Sequence, residues 1–153
     1  MKSLLNSFKF AFCGVLRTIK TERNFRIHLV CMAYMYIFLG FADWFVLSRT
    51  DWAILFIVNA LVLAAELFNT AIEALVDLAT RRQHPLAAIA KDCAAGAVLV
   101  CAILSIAVGI AILFQPEAFK QMFEYFITHL WILAAFIISL GIAGLFIFEK
   151  KKN

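Results

Sequence analysis

The chain has 153 residues, of which 65% are hydrophobic and only 16% charged, with a net charge of +4 and a mean hydropathy of +0.93. That composition excludes an ordinary soluble domain and reads as one domain built from several membrane-spanning helices. Four cysteines, Cys13, Cys31, Cys93 and Cys101, show neither a CxxC pair nor metal-ligand spacing and read as small apolar residues.

In chain order, residues 3–25 carry Leu4, Phe8, Phe12, Val15 and Ile19 on one stripe, with Lys2, Lys9, Arg17, Lys20, Arg23 and Arg26 nearby. This pattern predicts a basic amphipathic helix lying in the headgroup region. No compact apolar core with a small-residue cleavage site appears there, so no cleavable signal is expected. A first span is expected at about 27–47, followed by a turn at Ser48-Arg49-Thr50-Asp51 that suits a helix N-cap. A long helix follows over about 51–80, ended by Arg81-Arg82-Gln83-His84-Pro85, because proline disfavours helical geometry at the residue before it. A third span is expected at about 86–114. In it, the small residues Ala94, Ala95, Gly96 and Ala97 would let a neighbour approach closely. After Gln115-Pro116-Glu117, a fourth span is expected at about 122–148, leading to a basic tail, Lys150-Lys151-Lys152. The predicted class is therefore an all-α integral membrane protein, with no strand pattern, repeat or linker. Trp44, Trp52 and Trp131 read as anchors at span ends.

The long second helix carries the chemistry. Glu66, Asn69, Glu73 and Asp77 fall within about 80° of arc on one face at 3.6 residues per turn. A carboxylate at the centre of a membrane helix costs about 2.5–3.5 kcal/mol, so such a stripe faces a cavity, a partner helix or a cation. With the N-terminal helix placed on the cytoplasmic side, 12 of the 14 Lys and Arg residues fall on that side, leaving Arg49 and Lys120 outside. Both termini, the polar stripe and Lys91-Asp92 are then cytoplasmic, and the positive charge faces anionic headgroups and nucleotides.

Carboxylates are hard ligands suited to Mg²⁺, which is held by one or two of them together with substrate phosphates. A further carboxylate at the membrane boundary could take a proton from a lipid hydroxyl. Lys91 could meet phosphate oxygens as a point charge, and Glu22 brings another carboxylate to the same depth. These are parts of a phosphoryl-transfer site whose acceptor arrives through the bilayer. Neither GxxxxGK[ST] nor GxGxxG is present, so a P-loop or a protein-kinase phosphate cradle is not expected.

Three strings sharpen the reading: Glu22-Arg-Asn-Phe-Arg-Ile-His28, the block from Ala65 to Asp77, and His84-Pro-Leu-Ala-Ala-Ile-Ala-Lys-Asp-Cys-Ala-Ala-Gly-Ala-Val98. Over about residues 8–114 they resemble the small prokaryotic diacylglycerol kinase family, which includes the undecaprenol kinases, and the ERNFRIH form is more similar to that branch. The resemblance implies a homotrimeric lipid kinase of the bacterial inner membrane, using ATP and Mg²⁺, with sites between protomers and no nucleic-acid partner. It implies Glu66 as general base, Glu22 and Glu73 as magnesium ligands, and Asn69, Asp77, Lys91 and Asp92 around the nucleotide and its phosphates. His84 would lie near the adenosine. Undecaprenol is the expected acceptor and diacylglycerol the alternative. Residues 1–115 would form the kinase domain and 116–153 an addition serving packing or assembly. Arg82 stands where some members carry an acidic residue, which bears on nucleotide preference.

Plainer readings stand beside these. Glu66, Glu73 and Asn69 could make buried polar contacts between helices, Glu22 could be a surface charge, and Lys91 could snorkel to the interface. Asp77 could pair with Arg81 at i+4, and His84 could be an ordinary loop histidine. His28 and His129 carry no assigned role. An ion- or proton-relaying protein would need polar residues across the whole membrane depth, where Asn59 is the main one in the outer half. A catalytically silent scaffold would not need Glu22, Glu66, Glu73, Lys91 and Asp92 together.

Overall fold

The computed structural model describes residues 2–41, 43–80, 82 and 84–149. Arg81 and the Lys150–Lys152 tail lie outside the described residues. Six helices occur in the order α1 (Lys2–Thr21), α2 (Arg23–Phe41), α3 (Arg49–Ala79), α4 (Pro85–Leu113), α5 (Pro116–Thr128) and α6 (Leu130–Phe148), with no strand among the described residues. Four of them, α2, α3, α4 and α6, are long and apolar enough to cross a membrane.

Local signals explain most boundaries. Ser48 caps α3 through a capping box, its hydroxyl accepting from the Asp51 amide while the Asp51 carboxylate accepts from the Ser48 amide at 2.8 Å. Pro85 and Pro116 stand in the first turns of α4 and α5, where a missing N–H costs nothing.

Three boundaries differ from the sequence expectation. The amphipathic helix ends at Thr21, so Glu22 sits at a joint rather than within it. The Glu22 amide still donates to Thr18 O at 2.8 Å, and the Arg26 amide donates to Glu22 O at 3.3 Å, which couples the two helices across the break. The first span starts earlier and stops at Phe41, short of residue 47. The expected helix at 122–148 is divided at His129: α5 is a separate 13-residue amphipathic helix, and α6 is the apolar span. Glu117, Lys120, Gln121 and Glu124 make α5 too polar to cross lipid, and the Thr128 hydroxyl bonds back to Glu124 O at 2.9 Å, competing with helix continuation.

α3 and α4 form the central hairpin, packed through a stripe on α3 of Leu55, Val58, Asn59, Val62 and Glu66 and through Ala94 and Val98 on α4. Of the small residues on α4, Ala94 is buried, whereas a side chain at Gly96 would meet nothing within 4 Å. Gly96 is therefore not a point of close approach within one chain. Asn59 is satisfied inside the bundle, donating to the Tyr36 hydroxyl at 2.9 Å and accepting from Ser105 at 3.2 Å.

α2 packs against α3, and α6 packs against α2 and α5. Two opposite ends are tied. At one, Gln115 exchanges two hydrogen bonds with the Val46 backbone, at 3.0 and 3.1 Å. At the other, Arg26 of α2 reaches Ile147 O at the end of α6, at 2.9 Å. Aromatic pairs, including Trp44 with Tyr125 and Phe45 with Phe119, seat α5 against the loop end. The carboxylates gather at the Arg26 end.

Candidate active site

Glu66 continues the buried stripe of α3 and is itself only 2% exposed. Its Oε1 has no hydrogen-bond partner, and His28 Nε2 lies 3.4 Å from it, an ion-pair contact when the imidazole is protonated. A buried carboxylate oxygen left free is costly unless a substrate or ion meets it. One turn on, Asn69 donates from Nδ2 to Glu73 Oε1 at 2.9 Å, while its own Oδ1 is buried and unpartnered. Glu22 and Glu73 are both half-buried, and both carboxylates act electrostatically on Glu66. α1 also packs against α3, which brings the Glu22 joint to this face.

Further along, Asp77 Oδ1 accepts from Lys91 Nζ at 2.6 Å, bridging α3 and α4. The helical i+4 neighbour of Asp77, Arg81, lies outside the described residues. Between the two helices lies a cleft of about 900 Å³ lined by Asp77, Thr80, Arg82, His84 and Lys91 among others. His84 caps α4, its Nδ1 accepting from the Leu86 amide at 3.2 Å, so it has a structural job as well as a place in the cleft. Asp92 is exposed, with no side-chain partner among the described residues. No three His, Cys, Asp or Glu side chains converge closely enough among the described residues to hold a metal ion alone.

Helix length sets the depth of these groups. A hydrocarbon core of about 30 Å takes about 20 residues at 1.5 Å each. Counted from Trp52, near the start of α3, an upright helix leaves that core at about residue 71. Glu66 then lies about 7 Å inside the boundary, Asn69 close to it, and Glu73 and Asp77 in the headgroup zone. The same count back from Phe114 on α4 puts Lys91 and Asp92 just outside the core.

His28 is the site residue that sequence reading left without a role. Its signal is present within the ERNFRIH string: a histidine just inside a span, at the depth of a buried carboxylate.

The site thus sets a buried carboxylate with a free oxygen, just inside the membrane boundary, near a cleft that holds a cation, Lys91. Comparison with known proteins gives the chain its family. Residues 9–113 match the family described as prokaryotic diacylglycerol kinase. The chain is 42% identical over 117 residues to the undecaprenol kinase of Bacillus subtilis, covering 76% of this chain and 92% of that protein. It is 43% identical over 115 residues to a diacylglycerol kinase of Synechocystis, covering 74% of this chain and 64% of that relative's length. A diacylglycerol kinase of Pseudomonas aeruginosa is 35% identical over 100 residues, which cover 65% of this chain and 79% of that one.

The chain belongs to the prokaryotic diacylglycerol kinase family. It is thus a membrane lipid kinase, a phosphotransferase with an alcohol acceptor and ATP as co-substrate. The match ends at residue 113, so α5 and α6 lie beyond it.

Proposed function

We propose that this chain phosphorylates undecaprenol at the cytoplasmic face of the bacterial inner membrane, with Glu66 as the general base. The observation that carries the reading is the buried Oε1 of Glu66, which accepts no hydrogen bond and is left free to meet a substrate hydroxyl. There it accepts the hydroxyl proton as the lipid oxygen attacks the γ-phosphorus. The bond from that phosphorus to the bridging β-oxygen breaks, and ADP leaves. His28, 3.4 Å from Oε1, orients the carboxylate.

Mg²⁺ would be held by Glu22 and Glu73, and when bound it neutralises charge on the transferring phosphates. The donor set suits it: hard oxygens only, with the free Oδ1 of Asn69 beside Glu73, and a site left for phosphates to complete. Asp77, Lys91 and His84 form the nucleotide end in the cleft, with Lys91 turning from Asp77 to phosphate. Asp92 stands ready for the neighbouring protomer of the homotrimer that the family resemblance implies.

Cytoplasmic placement of both termini is supported by the 12 of 14 cations on that side and by Arg26, which brings the start of α2 beside the end of α6. Similarity to the Bacillus protein over 92% of its length favours undecaprenol. Diacylglycerol is the second reading, on the comparable identity to the Synechocystis protein.

The test is phosphate transfer from Mg·ATP by purified protein in mixed micelles, with undecaprenol and diacylglycerol offered in parallel. Undecaprenyl phosphate in clear excess supports the proposal. Preferential phosphatidic acid moves the assignment to diacylglycerol, and transfer to neither by folded protein overturns the lipid-alcohol reading.

A further inference from the structure

Arg26 is 8% exposed, yet it makes no ion pair among the described residues. Its side-chain hydrogen bonds run to backbone carbonyls of two helix ends. Nη1 donates to Ile19 O at 3.1 Å and to Lys20 O at 3.2 Å, both in the last turn of α1. Nε and Nη2 donate to Ile147 O at 3.2 and 2.9 Å, and Nη2 also to Glu149 O at 3.5 Å, at the end of α6. The Phe146 ring lies 6.0 Å beneath the guanidinium carbon.

Carbonyls in the last turn of a helix lack partners within that helix and carry the negative end of its dipole. One guanidinium therefore caps two helices at once, from the first turn of a third. Only the planar fork of arginine does this; a lysine ammonium is a point donor. The joint held this way contains Glu22, whose own peptide is bonded on one side to Thr18 and on the other to Arg26.

We infer that α6, the span beyond the family match, is a positioning element of the kinase site: through Arg26 it holds the α1–α2 joint so that Glu22 faces Glu66. Among the described helices α6 packs against α2 and α5 and not against α3 or α4, so its influence passes through this staple. The inference rests on the reading of Glu22 as a magnesium ligand.

The test uses the full-length chain carrying Arg26→Lys, with Ser139→Ala as the control. Ser139 makes another polar tie between α2 and α6 among the described residues, accepting from the Tyr34 hydroxyl at 2.8 Å. Two readouts are taken. One is the distance distribution between spin labels on Cys13 of α1 and on an introduced Leu145→Cys of α6, both exposed sites, in a chain whose other cysteines are alanine, measured without nucleotide or magnesium. The other is the magnesium titration of activity.

Arg26→Lys is expected to broaden the α1–α6 distance. It should also raise the half-saturating magnesium concentration about tenfold or more, the scale on which groups that orient metal ligands act. kcat at saturating magnesium should change less, and Ser139→Ala should leave the magnesium titration as in the wild type. An unbroadened distance, or a broadened one with unaltered magnesium dependence, overturns the inference. Glu22→Gln in parallel separates the causes. If it shifts the magnesium titration where Arg26→Lys does not, the staple has no positioning role. If neither shifts it, the ligand reading of Glu22 has failed.

Discussion

Replacing Glu66 with glutamine tests the chemistry most directly, because the structure makes the substitution nearly neutral for folding. Oε1 accepts no hydrogen bond, so at that oxygen an isosteric amide alters only the 3.4 Å contact with His28. The change also removes a buried negative charge, which works against destabilisation. What it removes from catalysis is the proton acceptor. General-base catalysis contributes about 10²–10⁴-fold, or about 2.7–5.4 kcal/mol of barrier at 1.36 kcal/mol per decade. Glu66→Gln should therefore lower kcat by at least about a hundredfold, while the KM for ATP and the thermal midpoint in detergent stay close to wild type. The assay is transfer of labelled γ-phosphate to undecaprenol in mixed micelles at saturating Mg·ATP, with nucleotide binding measured separately. Turnover within about threefold of wild type would remove Glu66 as the base.

Other perturbations separate the remaining parts. Glu73→Gln should raise the half-saturating magnesium concentration about tenfold or more, and an unchanged titration would count against its ligand role. Lys91→Met should cost under about 1 kcal/mol of stability, since the Lys91 and Asp77 side chains are 38% and 68% exposed. Its KM for ATP should nevertheless rise about tenfold, the loss of one bond to a charged group; an unmoved KM places the phosphates elsewhere. Asn59→Ala strands the hydroxyls of Tyr36 and Ser105 inside the bundle. It should lower stability by about 1–2 kcal/mol without changing turnover per folded molecule, read by thermal inactivation. In sealed right-side-out vesicles of a cysteine-free chain, an impermeant maleimide should label Gln121→Cys and spare Arg82→Cys, both at exposed positions; the reverse pattern would invert the topology.

Much of this was legible in the sequence, for identifiable reasons. A carboxylate on an otherwise apolar helix face is a strong signal because lipid makes it expensive, and the stripe from Glu66 to Asp77 falls on one helix as its spacing requires. Ser48-Arg-Thr-Asp51 and Pro85 marked helix starts through local chemistry that needs no tertiary information. The break at His129 was harder to see, because phenylalanines and isoleucines keep residues 122–148 apolar on average while the polar residues that exclude α5 from lipid are spread along one face. The contacts of Arg26 depend on partners far away in sequence: the carbonyl of Ile147 is 121 residues from it. Such pairings leave no local pattern. The i+4 reading of Asp77 falls on Arg81, outside the described residues, whereas the Lys91 contact at 2.6 Å comes from the return of α4 and has no local pattern.

The spans come in two lengths, and the difference builds the site. α2 and α6 have 19 residues each, or about 28 Å, which matches the hydrocarbon core and little more. α3 and α4 have 31 and 29 residues, or about 46 and 43 Å, so their paired ends stand roughly 15 Å proud of the core. Asn69, Glu73, Asp77, Lys91 and Asp92 lie in or beside that projecting hairpin, where charges are solvated and a nucleotide can enter from water. Glu66 remains within the apolar layer, with Asn69 at its edge. The eleven positions from Glu66 to Asp77 correspond to about 16 Å along the axis. On the proposed roles, a nucleotide seated in the Asp77–Lys91 cleft would lie lengthwise along α3, with its phosphates passing Glu73 toward a hydroxyl held at Glu66. Water-soluble donor and lipid acceptor would then meet end to end at the membrane boundary, with only the terminal phosphate passing inside it to reach the hydroxyl at Glu66.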